Sequence, residues 1–103
     1  NDMRNNFRTY QLAVQFCRLS TSLKLPKHLS DQLNRAASSV ALNLAEGSGR
    51  STRADQKRFF DISFASLRES QAILDLANIS TPQLLELADK LAAHVYCLIK
   101  SCR

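Results

Sequence analysis

The chain holds only two glycines in 103 residues, and both fall at one place, Gly47 and Gly49. A β-rich fold needs turn residues every few positions, so this distribution points to helices. The residues before that place agree. From Gln32 to Glu46 the chain passes through Ala36, Ala37, Ser38, Ser39, Ala41 and Ala45 with no glycine or proline. Such a run reads as a helix with a surface small enough to admit a close neighbour. Gly47 follows Glu46 as a left-handed C-cap residue would. Gly47-Ser48-Gly49-Arg50-Ser51-Thr52-Arg53 then reads as a short basic turn.

Four amphipathic segments emerge, at about 5–22, 27–46, 53–78 and 82 to the C-terminus. Pro26 stands where a first-turn proline belongs, and Thr81-Pro82 repeats the signal as cap then first helical residue. Thr52-Arg53-Ala54-Asp55 has the shape of a capping box, with Asp in place of Glu. The length suits one domain with one core, spanning residues 1–103. Short connections make neighbouring helices antiparallel. The expected fold is all-α, an antiparallel up-down-up-down four-helix bundle.

The last segment carries a single apolar stripe, Leu84, Leu87, Leu91, Val95, Leu98 and Cys102. The first carries two: Phe7, Tyr10, Val14 and Cys17 on one face, and Leu12, Phe16, Leu19 and Leu23 roughly opposite. The third divides in the same way, with Phe59, Ile62, Ile73 and Ala77 against Phe60, Phe64, Leu67 and Leu74. One bundle interior cannot cover both stripes of a helix, and exposed apolar patches usually mean a partner. Self-association is therefore expected, with Leu12, Phe16, Leu19, Leu23, Phe60 and Phe64 at the interface. The competing reading is a helix sunk between two neighbours in a compact monomer.

Charge is unevenly placed. The formal net charge is +5, and from Met3 to Ser30 there is no Asp or Glu at all. Arg4, Arg8 and Arg18 share a face of the first segment with Gln11 and Gln15 between them. Guanidinium and amide groups suit phosphate and sugar contacts. A solvated face is the commoner meaning of any charged stripe. The second basic cluster is the turn, with Arg50, Arg53 and Lys57 beside the free N–H groups of the third helix. Lys57 can equally pair with Asp61 at i,i+4. The expected nucleic-acid-binding residues are Arg4, Arg8, Arg18, Arg50, Arg53 and Lys57. The seven aromatic residues look committed to apolar faces, which makes base stacking the weaker mode.

Enzymatic chemistry finds little footing. The turn resembles a P-loop superficially, but Leu44 takes the place of its first glycine, Arg50 replaces the lysine, and a helix precedes it. No histidine is placed to activate Ser38, Ser39 or Ser48 beside Asn43 and Glu46. Asn43, Glu46 and Gly47 are better read as a structural motif binding backbone groups of the turn. Cys17, Cys97 and Cys102 lack zinc-site spacing, and His28 and His94 stand far apart. No catalytic residue, metal or cofactor is expected. No membrane span and no leader pattern is visible, so the expected location is the cytoplasm.

The order Gln32, Arg35, Ala36, Ser39, Asn43, Ala45, Glu46, Gly47, Arg50, Arg58 and Phe59 resembles the core motif of a bacterial family. Phe7 and Pro26 upstream, and Leu67 and Glu69 downstream, extend the likeness over most of the chain. The family is that of four-helix-bundle proteins encoded in intervening sequences of 23S ribosomal RNA genes. It is related to an accessory protein of diversity-generating retroelements. The chain departs from the pattern at Lys27 and His28, where an acid is frequent, and at Val40-Ala41, where relatives have Ile-Pro. The resemblance implies a homo-oligomeric ring, a pentamer in relatives. The basic surface and the resemblance together suggest two candidate roles. One is a non-enzymatic protein binding structured RNA, or an RNA-containing complex, through its basic surface. The other is a scaffold that recruits a protein such as a reverse transcriptase.

Overall fold

A computed structural model describes residues 2–102, leaving positions 1 and 103 of the expected domain outside the described residues. These residues form four α-helices: α1 (Asp2–Thr21), α2 (Lys27–Ser48), α3 (Arg53–Leu76) and α4 (Pro82–Ser101). No strand occurs among the described residues. Each helix packs on the next in chain order, and α4 packs back on α1, while the diagonal pairs bring no backbones close. The chain therefore encloses one continuous core drawn from all four helices.

Local chemistry sets the helix ends. Pro26 precedes α2, and its carbonyl accepts from the N–H groups of Leu29 and Ser30. The Thr52 hydroxyl accepts from the Asp55 N–H at 3.1 Å, the cap expected from sequence. Pro82 opens α4, where a missing N–H removes no helix bond. At the end of α3, Asn78 adopts φ 58°, the one left-handed non-glycine residue among those described. The Ile79 N–H reaches the Leu74 carbonyl and the Asn78 N–H reaches that of Asp75, which makes a Schellman motif.

Gly47 is not the left-handed cap that its position after Glu46 suggests. It lies inside α2, which continues to Ser48 and ends on Gly49 at φ −88°. Its role is steric. A Cβ at Gly47 would lie 2.7 Å from Phe60 Cε1 and 3.1 Å from Phe59 Cβ. The glycine lets the first turns of α3 lie directly on α2.

α2 and α3 form the most extensive helix pair. Small side chains bring them close, and serines bind across the seam. The Ser63 hydroxyl donates to the Val40 carbonyl at 2.8 Å, fully buried, and the Ser39 and Ser66 hydroxyls meet at 2.8 Å. Arg35 approaches Glu69 at 3.8 Å. Residue numbers thus fall along α2 as they rise along α3.

The expected oligomer interface requires correction. Phe16 and Phe60 are 0% and 1% exposed, so they belong to the core of a single chain. Leu12, Leu19, Leu23 and Phe64 are half-buried and pack against that core. On α1 the line facing inward is Thr9, Ala13, Phe16 and Ser20, flanked by those leucines. The opposite stripe divides: Phe7 is 62% and Tyr10 36% exposed, whereas Val14 and Cys17 are half-buried against the core. Small residues occupy the centre of the buried face, so apolar bulk alone pointed to the wrong side.

Candidate nucleic-acid interface

α1 presents Arg4, Arg8, Gln11, Gln15 and Arg18 to solvent, on the side away from Thr9, Ala13 and Phe16. The absence of acids from this stretch leaves the face without an internal counter-charge. Arg8 and Arg18 make no ion pair among the described residues. Arg18 also stands in the last turn of α1, where a cation interacts favourably with the helix dipole. The field of Arg8 reaches α4: burial, then Lys90, then Arg8 push the His94 pKa below its ordinary value. Within α1, burial pushes the Cys17 thiol pKa up, and Arg18 opposes it.

The outward apolar stripe borders these arginines. Phe7, Tyr10, Val14 and Leu19 line one shallow groove together with Arg18. Phe7 and Tyr10 also line a second groove of about 510 Å³ with Met3, Ala45 and Gln56, between α1 and the α2–α3 turn. Guanidinium charge and exposed aromatic surface are therefore contiguous on this side.

The basic turn is more heavily partnered than its sequence suggests. Arg50 meets Glu46 at 2.7 Å and lies over the Phe59 ring at 4.7 Å. Arg58 lies over the same ring at 4.7 Å and approaches Asp55 at 3.9 Å. Lys57 pairs with Asp61 at 2.9 Å. The Arg53 guanidinium donates to the Ser101 carbonyl at 3.4 Å, joining the start of α3 to the end of α4. Surface pairs of this kind are worth only ~0–1 kcal/mol, so a phosphate can displace them. The turn is a partly neutralised cluster beside α3, whereas Arg8 and Arg18 on α1 make no ion pair among the described residues.

Asn43 and Glu46 do not act as a pair. Asn43 Nδ2 donates to the Ser39 carbonyl at 2.9 Å and to the Ser39 hydroxyl at 3.0 Å. Ser39 in turn meets Ser66. Asn43 therefore supports the α2–α3 seam from within α2, while Glu46 holds Arg50. Contrary to the expected motif, neither side chain binds the turn backbone among the described residues; the Gln56 side-chain amide does, donating to the Arg50 carbonyl at 3.2 Å.

A basic-aromatic cluster on α3 and α4 was missed in the sequence. Tyr96 is 51% exposed. Its ring lies 6.4 Å from that of Phe64, Arg68 covers Phe64 at 4.8 Å, and Lys100 lies over Tyr96 at 5.6 Å. The signal was legible: Phe64 and Arg68, and Tyr96 and Lys100, each stand four residues apart.

Among the described residues no group of three His, Cys, Asp or Glu side chains is placed to hold a metal ion. No described helix is long and apolar enough to cross a membrane. No curated protein matches the chain. A family model described as 23S rRNA-intervening sequence protein matches residues 5–100. That span takes in nearly all of the four helices, the α2–α3 seam, and Arg8 and Arg18 of the arginine face. The chain belongs to the 23S rRNA-intervening sequence protein family.

Proposed function

We propose that this chain is a non-enzymatic protein that binds structured RNA, or an RNA-containing complex, through arginine contacts to phosphate. The observation that carries the reading is the exposed α1 face. Arg8 and Arg18 stand there with Gln11 and Gln15 between them, and no acid lies within the stretch from Met3 to Ser30. Arg4 extends that face, and Arg50, Arg53 and Lys57 supply a second cluster whose present partners are exchangeable. Family membership supports an RNA-related role.

The helices follow an up-down-up-down course, and the chain works as a homo-oligomeric ring. The outward stripe of Met3, Phe7 and Tyr10 supports assembly, since Met3 is 80% and Phe7 62% exposed. The ring size, a pentamer, rests on the resemblance. The same stripe favours a second reading, a scaffold whose apolar patch recruits a protein partner such as a reverse transcriptase.

Titration against an RNA hairpin and a matched DNA duplex, at ~50 and ~200 mM salt, tests the choice. Binding that weakens steeply with salt and is lost in R8E/R18E supports the arginine face. No binding at low salt overturns the RNA reading and leaves the scaffold.

A further inference from the structure

On the α3–α4 face, unlike at Arg8 and Arg18 of the α1 face, cations lie directly over aromatic rings. At 100° per residue, Arg53, Lys57, Phe64 and Arg68 fall within about 60° of one another on α3. Tyr96 and Lys100 lie beside them on α4. Each of the two rings carries a cation: Arg68 over Phe64 at 4.8 Å, Lys100 over Tyr96 at 5.6 Å. Tyr96 is half exposed although Phe64 stands only 6.4 Å away, centroid to centroid. Three acids stand near: Asp61, Asp75 and Asp89, the last two lining a groove with Arg68 on the side away from Lys100. Asp61 holds Lys57, and Asp89 accepts from Gln71 at 3.3 Å. Gln71 in turn accepts from Arg68 at 2.8 Å, which steadies the guanidinium over Phe64.

An exposed ring flanked by cations is the arrangement that holds unpaired bases: the π-face stacks on the base and the cations take the backbone. Duplex RNA offers no free base face, so the ligand is a single strand or a loop. We propose that the α3–α4 face is a stacking site for an unpaired base of single-stranded RNA. Tyr96 is the platform: the base displaces Lys100 from over the ring, and Lys100 and Arg68 contact the flanking phosphates. The site extends the RNA-binding reading to a second surface and rests on that reading only for the class of ligand.

The test compares an oligouridylate of about ten nucleotides with an abasic ribose-phosphate strand of equal length, at one salt concentration. The intact protein should bind the base-bearing strand about tenfold more tightly. Y96A should erase that preference, and Y96F should keep it, because stacking needs the ring and not the hydroxyl. R8E/R18E should weaken both strands alike and leave their ratio unchanged. Equal affinity for the two strands in the unaltered protein, or an unchanged ratio in Y96A, overturns the proposal. If R8E/R18E still abolishes hairpin binding in that case, the α1 reading stands alone. A changed sedimentation coefficient in Y96A with the ratio intact makes this face a contact between protein copies, and the proposal fails.

Discussion

The α-carbon of Gly47 lies against the edge of the buried Phe60 ring, so close that a Cβ would sit 2.7 Å from Cε1 and 2.9 Å from Cδ1. Phe60 is 1% exposed and cannot swing aside. Alanine at this helical position gains ~1 kcal/mol of intrinsic helix propensity, but overpacking a core costs ~1–3 kcal/mol. G47A should therefore lower stability by up to about 2 kcal/mol in chemical denaturation. In an F60L background most of that loss should disappear. An equal loss in both backgrounds would rule out the ring as its cause.

Asn78 provides the contrasting case, because its requirement is a backbone angle. At φ 58° a Cβ is strained, and Asn tolerates the region better than most residues. N78A should cost about 1 kcal/mol, while N78G should be neutral or stabilising by roughly a few tenths of a kcal/mol. Thermal melts of the two variants read the difference directly.

Two buried serines should respond with opposite signs. Ser63 donates across the seam to Val40, and S63A should lose about 1 kcal/mol. The Ser20 hydroxyl is buried and has no hydrogen-bond partner among the described residues. S20A removes an unpaired polar group and should raise stability by about 1 kcal/mol. Denaturant midpoints at unchanged slope would establish both.

Glu46 restrains Arg50 at 2.7 Å. E46Q removes the competing carboxylate and should change stability by less than about 1 kcal/mol. Under the proposed function it should tighten RNA binding at low salt and steepen the log–log salt dependence by about 1. An unchanged slope in E46Q would remove Arg50 from the contact surface.

His94 gives the fold a pH dependence. Its pKa is lowered in the folded chain, by burial first and then by Lys90 and Arg8. The unfolded chain therefore binds more protons at that site as pH falls below its ordinary value near 6.5. Stability should drop from that point down to the folded pKa and then level off. H94Q should flatten this part of the profile. R8Q should move the His94 titration, followed by NMR, back toward its ordinary value.

The sequence carried the helices and three of their four boundary signals, because Pro26, Thr52 and Pro82 act locally. It did not carry the orientation of α1. Two opposed apolar stripes have the same period, and only tertiary packing shows that Thr9, Ala13 and Ser20 complete the inner face with Phe16. Gly47 was misread for a related reason. A glycine near a helix end suggests an angle, but the true cause was the Phe60 ring thirteen residues away in sequence. The lack of an ion pair at Arg8 and Arg18 was legible, since no acid stands within helical reach of either. The pairing of Arg50 and Lys57 was legible only in part: the i,i+4 rule covers both, but the ring of Phe59 under Arg50 needs the turn to be folded.

The seam between α2 and α3 has a consequence for how such a chain can vary. Gly47 with Phe60, Val40 with Ser63, and Ser39 with Ser66 are all matched at one alignment of the two helices. Deleting or inserting a single residue within either helix would rotate every later partner by about 100° and break these matches together. The same change between Gly49 and Thr52 would leave them intact. Length variation should therefore be confined to the hairpin tip, and substitutions along the seam should be accepted in pairs.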